Sequence, residues 1–147
     1  MKNEKIIATN RKGKRKMSGW IIALIIIAVL GVGGGIGWSF LEKEHKEARN
    51  VTIDKIDFSK LKDGTYIGDY EGGMYKWRTN KVEVTVKSGK VTDIKLLSTV
   101  AEYDRTQEVY DKVIDKQSLQ VDTISGATLT CKALLKGVEN ALDQAEK

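Results

Sequence analysis

Between Asp122 and Cys131 the chain sets a carboxylate, alcohols at Ser125, Thr128 and Thr130, and its only thiol, with the small residues Gly126 and Ala127 in the middle. The order is Asp-Thr-Ile-Ser-Gly-Ala-Thr-Leu-Thr-Cys, and a helical pattern starts inside it. Leu134, Val138, Ala141, Leu142 and Ala145 recur at the spacing of one helix face, which puts the helix start at 128–130. The first turn of a helix presents backbone N–H groups without intrahelical acceptors and the positive end of the dipole, and phosphate binds such ends without cationic help. Gly126 and Ala127 let a ligand approach the backbone closely. Two uses of the hydroxyls stand side by side. One of Ser125, Thr128 and Thr130 caps the helix, or one of them is joined to a phosphate. The residue types alone do not decide between these uses, nor between Thr128 and Thr130.

The remaining inventory removes other chemistries. Cys131 is the only cysteine, so no internal disulfide exists. Three residues from Thr128, it reads as a small packed residue in the first helical turn rather than a reactive thiol. His45 is the only histidine. No metal-ligand spacing and no Ser-His or Cys-His catalytic pair is available from the rest of the chain.

These residues need elements to carry them, and the first is a membrane segment. From Met17 to Leu41 run 25 residues without a charge, enough to cross a bilayer core of about 30 Å. Trp20 and Trp38 bracket the most apolar part, where an interfacial aromatic belt lies, and Phe40 follows. A helix this apolar on all sides does not fit inside a domain of roughly a hundred residues. Residues 1–41 hold 7 basic residues and 1 acidic one, which leaves 18 basic against 19 acidic for residues 42–147. The basic excess precedes the span, so the tail of residues 1–16 is expected in the cytoplasm and residues 42–147 outside the cell membrane, in a single pass. The span is long and the stretch WSFLEKE offers no Ala-x-Ala site, which favours an uncleaved anchor over a signal peptide. The net charge of +5 is thus a topology signal in contact with the lipid bilayer and implies no nucleic acid partner. Glycines four apart, Gly31/Gly35 and Gly33/Gly37, offer a face for self-association in the membrane, beside the plain reading that Gly is common in such helices.

Residues 42–60 are expected as a juxtamembrane stalk, helical and charged over 42–50, leading into a domain over 61–147. LKDGTYIGDYEGG reads as a turn, a short strand and a Gly-rich loop. Residues 81–87 alternate, with Val82, Val84 and Val86 on one face. The chain turns at Ser-Gly-Lys and returns over 91–98 with Val91, Ile94 and Leu96 inward, which makes a hairpin. Val109, Tyr110, Val113 and Ile114 predict a helix within 105–117, LQVDTI a short strand or extended segment, and the last helix follows. Grouped strands with flanking helices give an α+β class: one N-terminal transmembrane helix, then a small domain with an antiparallel sheet.

The run Asp122-x-x-Ser125-Gly126-Ala127-Thr128 resembles the flavinylation signature of the bacterial FMN-binding domain. That family includes the C subunit of the sodium-pumping NADH:quinone oxidoreductase, the G subunit of the Rnf complex, and small surface proteins of Gram-positive extracellular electron transfer. The likeness extends over roughly residues 61–145, with LKDGTYIGDY, VEVTVKSGKVTDIKLLS and KQSLQVDTISGATLTCKALLKGVENAL in the family's order. The resemblance implies FMN joined covalently through its phosphate to Thr128, placed there by a flavin transferase that uses FAD. Asp122, Ser125, Gly126 and Ala127 complete the recognition motif, with Thr130 close by. It also implies a membrane quinone or NADH dehydrogenase system as electron donor and an external acceptor. Tyr66, Tyr70, Tyr75 and Trp77 are then candidate partners for the flavin ring. The loop of residues 71–80 does not match the family's pattern, which leaves the choice among them open. The segment of residues 99–113 is shorter than in the respiratory subunits, which points to a stand-alone carrier. The expected function is a membrane-anchored electron-transfer flavoprotein rather than an enzyme with its own substrate. The alternative is a flavin-free binding or assembly module of the same fold.

Overall fold

The computed structural model describes residues 18–100 and 102–146. The expectations for the basic tail and for Met17 lie outside these residues. Contacts divide the chain into two compact units that meet between Trp38 and Ser39. Helix α1, Gly19–Asn50, has 32 residues and begins in the first unit. Among the described residues it is the one helix long and apolar enough to cross a membrane. Trp20 and Trp38 are both about three-quarters exposed, and an added Cβ at Gly31, Gly33, Gly34, Gly35 or Gly37 would meet nothing within 4 Å. That lateral surface is as apolar as lipid tails require.

The second unit starts with the last turns of α1. A 3-10 turn, Phe58–Lys60, precedes three strands, β1 Gly64–Tyr70, β2 Asn80–Lys87 and β3 Lys90–Thr99. Helices α2, Thr106–Lys116, and α3, Thr128–Ala145, complete the α+β fold. The sheet is antiparallel in the order β1-β2-β3. The Val82, Val84 and Val86 side chains are buried on the face that α3 covers, as the alternation predicts. Inward residues on β3 sit three and then two apart, Val91, Ile94 and Leu96, a spacing that strict alternation forbids. Register shifts supply the missing residues: Thr85 pairs with Asp93 but Val86 with Val91, and Lys81 pairs with Ser98 but Val82 with Leu96. Two bulges therefore keep the apolar side chains on one face of a ten-residue strand.

The β2–β3 turn has positive φ at Ser88 (53°) and Gly89 (70°), the geometry of a two-residue hairpin with right-handed twist. Asp63, before β1, locks it: its carboxylate accepts the Ser88 and Gly89 N–H groups, both at 2.8 Å. Those bonds, that to Gly89 above all, hold the Asp63 carboxyl below the usual carboxylate range. A depressed folded-state pKa means that the stabilisation is present above the unfolded value near ~3.9 and is lost as pH falls through the folded one. Asp63→Ala is expected to speed amide exchange at Ser88 and Gly89 near neutral pH, and to have little effect at a pH where Asp63 is protonated. Equal exchange in both proteins at neutral pH would remove this lock.

Both sheet edges are occupied. Asn140 and Gln144 of α3 donate to the Asp69 and Ile67 carbonyls of β1, at 2.7 and 2.8 Å. On β3 the Gln117 side-chain amide accepts from Val91 N–H (2.9 Å) and donates to its carbonyl (2.8 Å), standing in for a fourth strand. The segment LQVDTI forms no strand and begins with a bend at Leu119.

The stretch after Leu41 is packed against the domain rather than standing free of it. Glu44 and Ala48 are buried, and Glu44 pairs with Arg78 of the loop between β1 and β2. Glu47 accepts from the Met74 N–H at 3.3 Å. From the other side, Lys132 donates to the Arg49 carbonyl at 2.7 Å, Lys136 to that of Thr52 at 3.3 Å, and the Asp54 N–H to buried Glu139 at 3.3 Å.

Candidate functional site

Helix α3 begins at Thr128, with Ala127 in the N-cap position and no side-chain capping bond. The expected hydroxyl cap is therefore absent: Ser125, Thr128 and Thr130 all leave the helix end uncapped by side chains. A backbone turn does the local work instead. The Ala127 N–H bonds to the Ile124 carbonyl at 3.0 Å, and Gly126, with φ of 81°, holds the position that needs a left-handed residue. The turn swings Ser125 and Gly126 into solvent, and a Cβ on Gly126 would meet nothing within 4 Å. Gly126 is thus required by backbone conformation, and the space beside it is open to a ligand.

The first helical bond runs from Cys131 N–H to Ala127 C=O, 2.9 Å. Ahead of it the N–H groups of Thr128, Leu129 and Thr130 have no acceptor among the described residues. Thr128 is exposed, whereas Thr130 and Ala127 are half-buried. Cys131 is fully buried, which matches a packed role and removes the thiol from surface chemistry. Asp122 sits six residues before Thr128 with its carboxylate 94% exposed, 3.5 Å from the Lys116 ammonium. Asp122, Ser125, Gly126 and Thr128 thus form an exposed rim at the start of α3, with Ala127 half-buried among them.

A groove of about 670 Å³ opens beside this rim. Its walls are residues 49–53 and 119–123, and its α3 side is Lys132 and Leu135. Leu119 and Leu135 are buried at its base, while Val51, Ile53 and Val121 are half-buried. Sequence reasoning missed Lys132 and the 49–53 wall. The signal for Lys132 was present, since it lies four residues after Thr128 and shares its helix face. Nothing in the sequence marked the wall.

A larger groove, about 810 Å³, lies between β3 and α2 and includes Tyr103 and Tyr110. The Tyr110 hydroxyl is buried without a partner among the described residues, and burial pushes its pKa up. Of the four aromatics singled out from sequence, Tyr66 is half-buried against the core and donates to the Lys62 carbonyl at 3.0 Å. Tyr70 is half-buried, and desolvation raises its pKa. Tyr75 and Trp77 stack on each other with ring centres 5.1 Å apart. None of the four lines the groove beside Asp122.

Residues 76–143, which take in β2, β3, α2 and most of α3, match the FMN-binding domain family. This segment is similar to that family's domain. The match supports FMN as the cofactor, and the exposed alcohol, the unpaired N–H groups and the open turn at Gly126 are a donor set that fits a phosphate. The segment is also similar to an NADH:acrylate oxidoreductase of Vibrio harveyi, 36% identical over 69 residues. The likeness takes in 44% of this chain and 7% of that protein. No solved structure matches the chain.

Proposed function

We propose that the chain is a membrane-anchored flavoprotein that holds FMN as a phosphoester on Thr128 and carries electrons between a membrane donor and an acceptor outside the cell. The observation that carries this reading is the exposed Thr128 hydroxyl at the first position of α3, uncommitted to any cap, beside unpaired N–H groups and the open Gly126 turn. The flavin supplies one- and two-electron transfer when bound. The chain supplies attachment and surroundings. In the attachment step the Thr128 oxygen attacks the flavin-side phosphorus of FAD. The bond to the second phosphate breaks, AMP leaves, and the hydroxyl proton passes to solvent through the transferase. Asp122 and Ser125 flank the threonine where a transferase would grip the segment.

The similarity to a much larger oxidoreductase covers one domain-sized piece, which supports a shared redox module rather than a shared substrate. A membrane quinone or NADH dehydrogenase system is the proposed donor. An anchor and a covalent tether serve the same end, since an unattached flavin outside the membrane would diffuse away.

Orientation is tested with protease on intact spheroplasts. Digestion of residues 42–147 with protection of a tag on residue 1 is expected. The reverse pattern would invert the topology and remove the outside acceptor. For electron transfer, membranes lacking the protein are expected to lose most of their reduction of external ferric chelate, and the wild-type chain to restore it. Restoration by a Thr128→Ala chain would refute a role for the attached flavin.

A further inference from the structure

We propose that the loop of residues 71–79, between β1 and β2, is a second membrane contact, with Met74, Tyr75 and Trp77 seated in the lipid headgroup layer where the anchor helix leaves the bilayer. This rests on the reading of residues 17–41 as a membrane span. It adds a docked domain in place of one that swings on a stalk.

Height comes first. The uncharged run ends at Leu41, and the Lys43 ammonium lies over the Phe40 ring at 5.8 Å, where apolar surface gives way to charge. The loop grips α1 just beyond that point. Arg78 pairs with Glu44, and the Met74 N–H donates to Glu47 at 3.3 Å. Along the helix axis Glu44 stands about 5 Å and Glu47 about 9 Å past Leu41. The headgroup layer of one leaflet is roughly 5–8 Å deep. The loop is therefore tied to α1 at headgroup height, and the tie is internal, since Glu44 is buried.

The loop holds its own shape. The Thr79 hydroxyl is within hydrogen-bond reach of the Glu71 and Lys76 carbonyls, at 2.6 and 2.9 Å. The Lys76 N–H donates to the Gly73 carbonyl at 3.1 Å, and the Thr79 N–H to that of Lys76 at 3.3 Å. At Gly72 the chain passes so close to itself that a Cβ would overlap the Thr79 nitrogen. Backbone groups satisfied inside the loop lower its cost of leaving water.

What the loop leaves uncovered suits the interface. Met74 is 53% and Trp77 45% exposed, and Tyr75 stacks on Trp77 with ring centres 5.1 Å apart. Indole and phenol rings favour the headgroup level, where the ring meets acyl chains and the polar tip meets water. Lys76, exposed and between the two aromatics in the chain, offers its ammonium to lipid phosphate. Apolar side chains grouped on one loop, next to the end of a span, are continuous with the lipid surface that the span already meets. Residues 71–75 lie outside the family match at 76–143, so this contact belongs to the chain's own loop.

The test uses the full chain reconstituted in phosphatidylcholine vesicles with one tryptophan present at a time, Trp20, Trp38 and Trp77 being its three. Trp77, alone after Trp20→Phe and Trp38→Phe, is expected to lose emission about twofold or more in vesicles of brominated phosphatidylcholine, and to resist aqueous iodide. Lys90→Trp, alone after all three tryptophans become Phe, is the comparison. It stands at the far end of β2, about 25 Å from the loop, and is expected to respond to iodide and not to bromine. A Trp77 open to iodide and indifferent to bromine would overturn the docking. So would bromine quenching of Lys90→Trp as strong as that of Trp77. Trp38, alone after Trp20→Phe and Trp77→Phe, separates this from failure of the reading beneath it. If bromine does not quench Trp38, the span and the docking fall together. If it quenches Trp38 while Trp77 stays open to iodide, the docking falls alone.

Discussion

Thr128→Ala protein, made alongside a flavin transferase, is expected to lack the FMN adduct entirely, while Thr130→Ala protein keeps it. Intact mass and ultraviolet fluorescence of the denatured band both report this, because only a covalent flavin survives denaturation. The motif and side-chain exposure both single out position 128. Thr128 is exposed and half-buried Thr130 is not, and a transferase must reach the oxygen it modifies. Stability separates the two roles a threonine has at a helix start. A side-chain cap lost to alanine costs about 1 kcal/mol, and up to about 2. Here Ala127 is the N-cap and no hydroxyl bonds back to the first turn, so Thr128→Ala should change unfolding free energy by less than about 0.5 kcal/mol, like other surface substitutions. Loss of the adduct with unchanged stability marks a modification site. Loss of both would mean that a damaged helix start, not a missing nucleophile, blocks the transferase. An adduct that persists in Thr128→Ala and vanishes in Thr130→Ala would move the site by two residues.

The parts of this molecule that sequence shows are those governed by neighbours a few residues away. Val82, Val84 and Val86 announce a half-buried strand because alternate side chains share a face. Leu134, Val138, Ala141, Leu142 and Ala145 announce α3 because the helix repeats near every fourth residue. Even the bulges of β3 left a trace, in the uneven spacing of Val91, Ile94 and Leu96. What stayed hidden depends on residues far apart in the chain. Glu44 reads as one more charge in a solvated stalk, yet it is buried against Arg78, 34 residues on. Gln117 reads as a polar helix end, yet its amide completes the edge of β3. At the candidate site the motif was visible as a string. Its lack of a side-chain cap was not, because any of three hydroxyls fits the capping pattern and only the backbone turn at Gly126 shows that none is used.

A large loss of stability from a single methyl group is expected at Gly68, in the middle of β1. An added Cβ there would overlap the Gly137 carbonyl oxygen of α3 and stand 2.5 Å from the Ala141 nitrogen and 3.0 Å from the Ala141 Cβ. Gly137 is under the same constraint from the other side, since its own Cβ would overlap the Asn80 side-chain oxygen of β2. Helix and sheet thus meet backbone to side chain, through Gly68, Gly137 and Ala141. Asn80 adds a bond to the Ala133 carbonyl at 2.9 Å that fixes the height of the helix. Gly68→Ala would restrict the unfolded chain and so gain about 0.4–1 kcal/mol. Overpacking against main-chain atoms that cannot rotate away costs typically 1–3 kcal/mol and sometimes more. The second effect wins, and a net loss of about 2–3 kcal/mol is expected, a large share of the ~5–15 kcal/mol that holds a domain folded. Denaturant unfolding should show a lower midpoint with an unchanged slope. Ala141→Gly in the same chain should recover only part of the loss, because the Gly137 carbonyl remains in the way. The displacement has a functional reading too. Helix α3 carries Thr128 at one end and Leu135 at the groove, so pushing it off the sheet should slow flavin attachment even where the folded fraction stays high. A Gly68→Ala chain as stable as wild type and labelled at the same rate would mean that β1 does not set the position of α3.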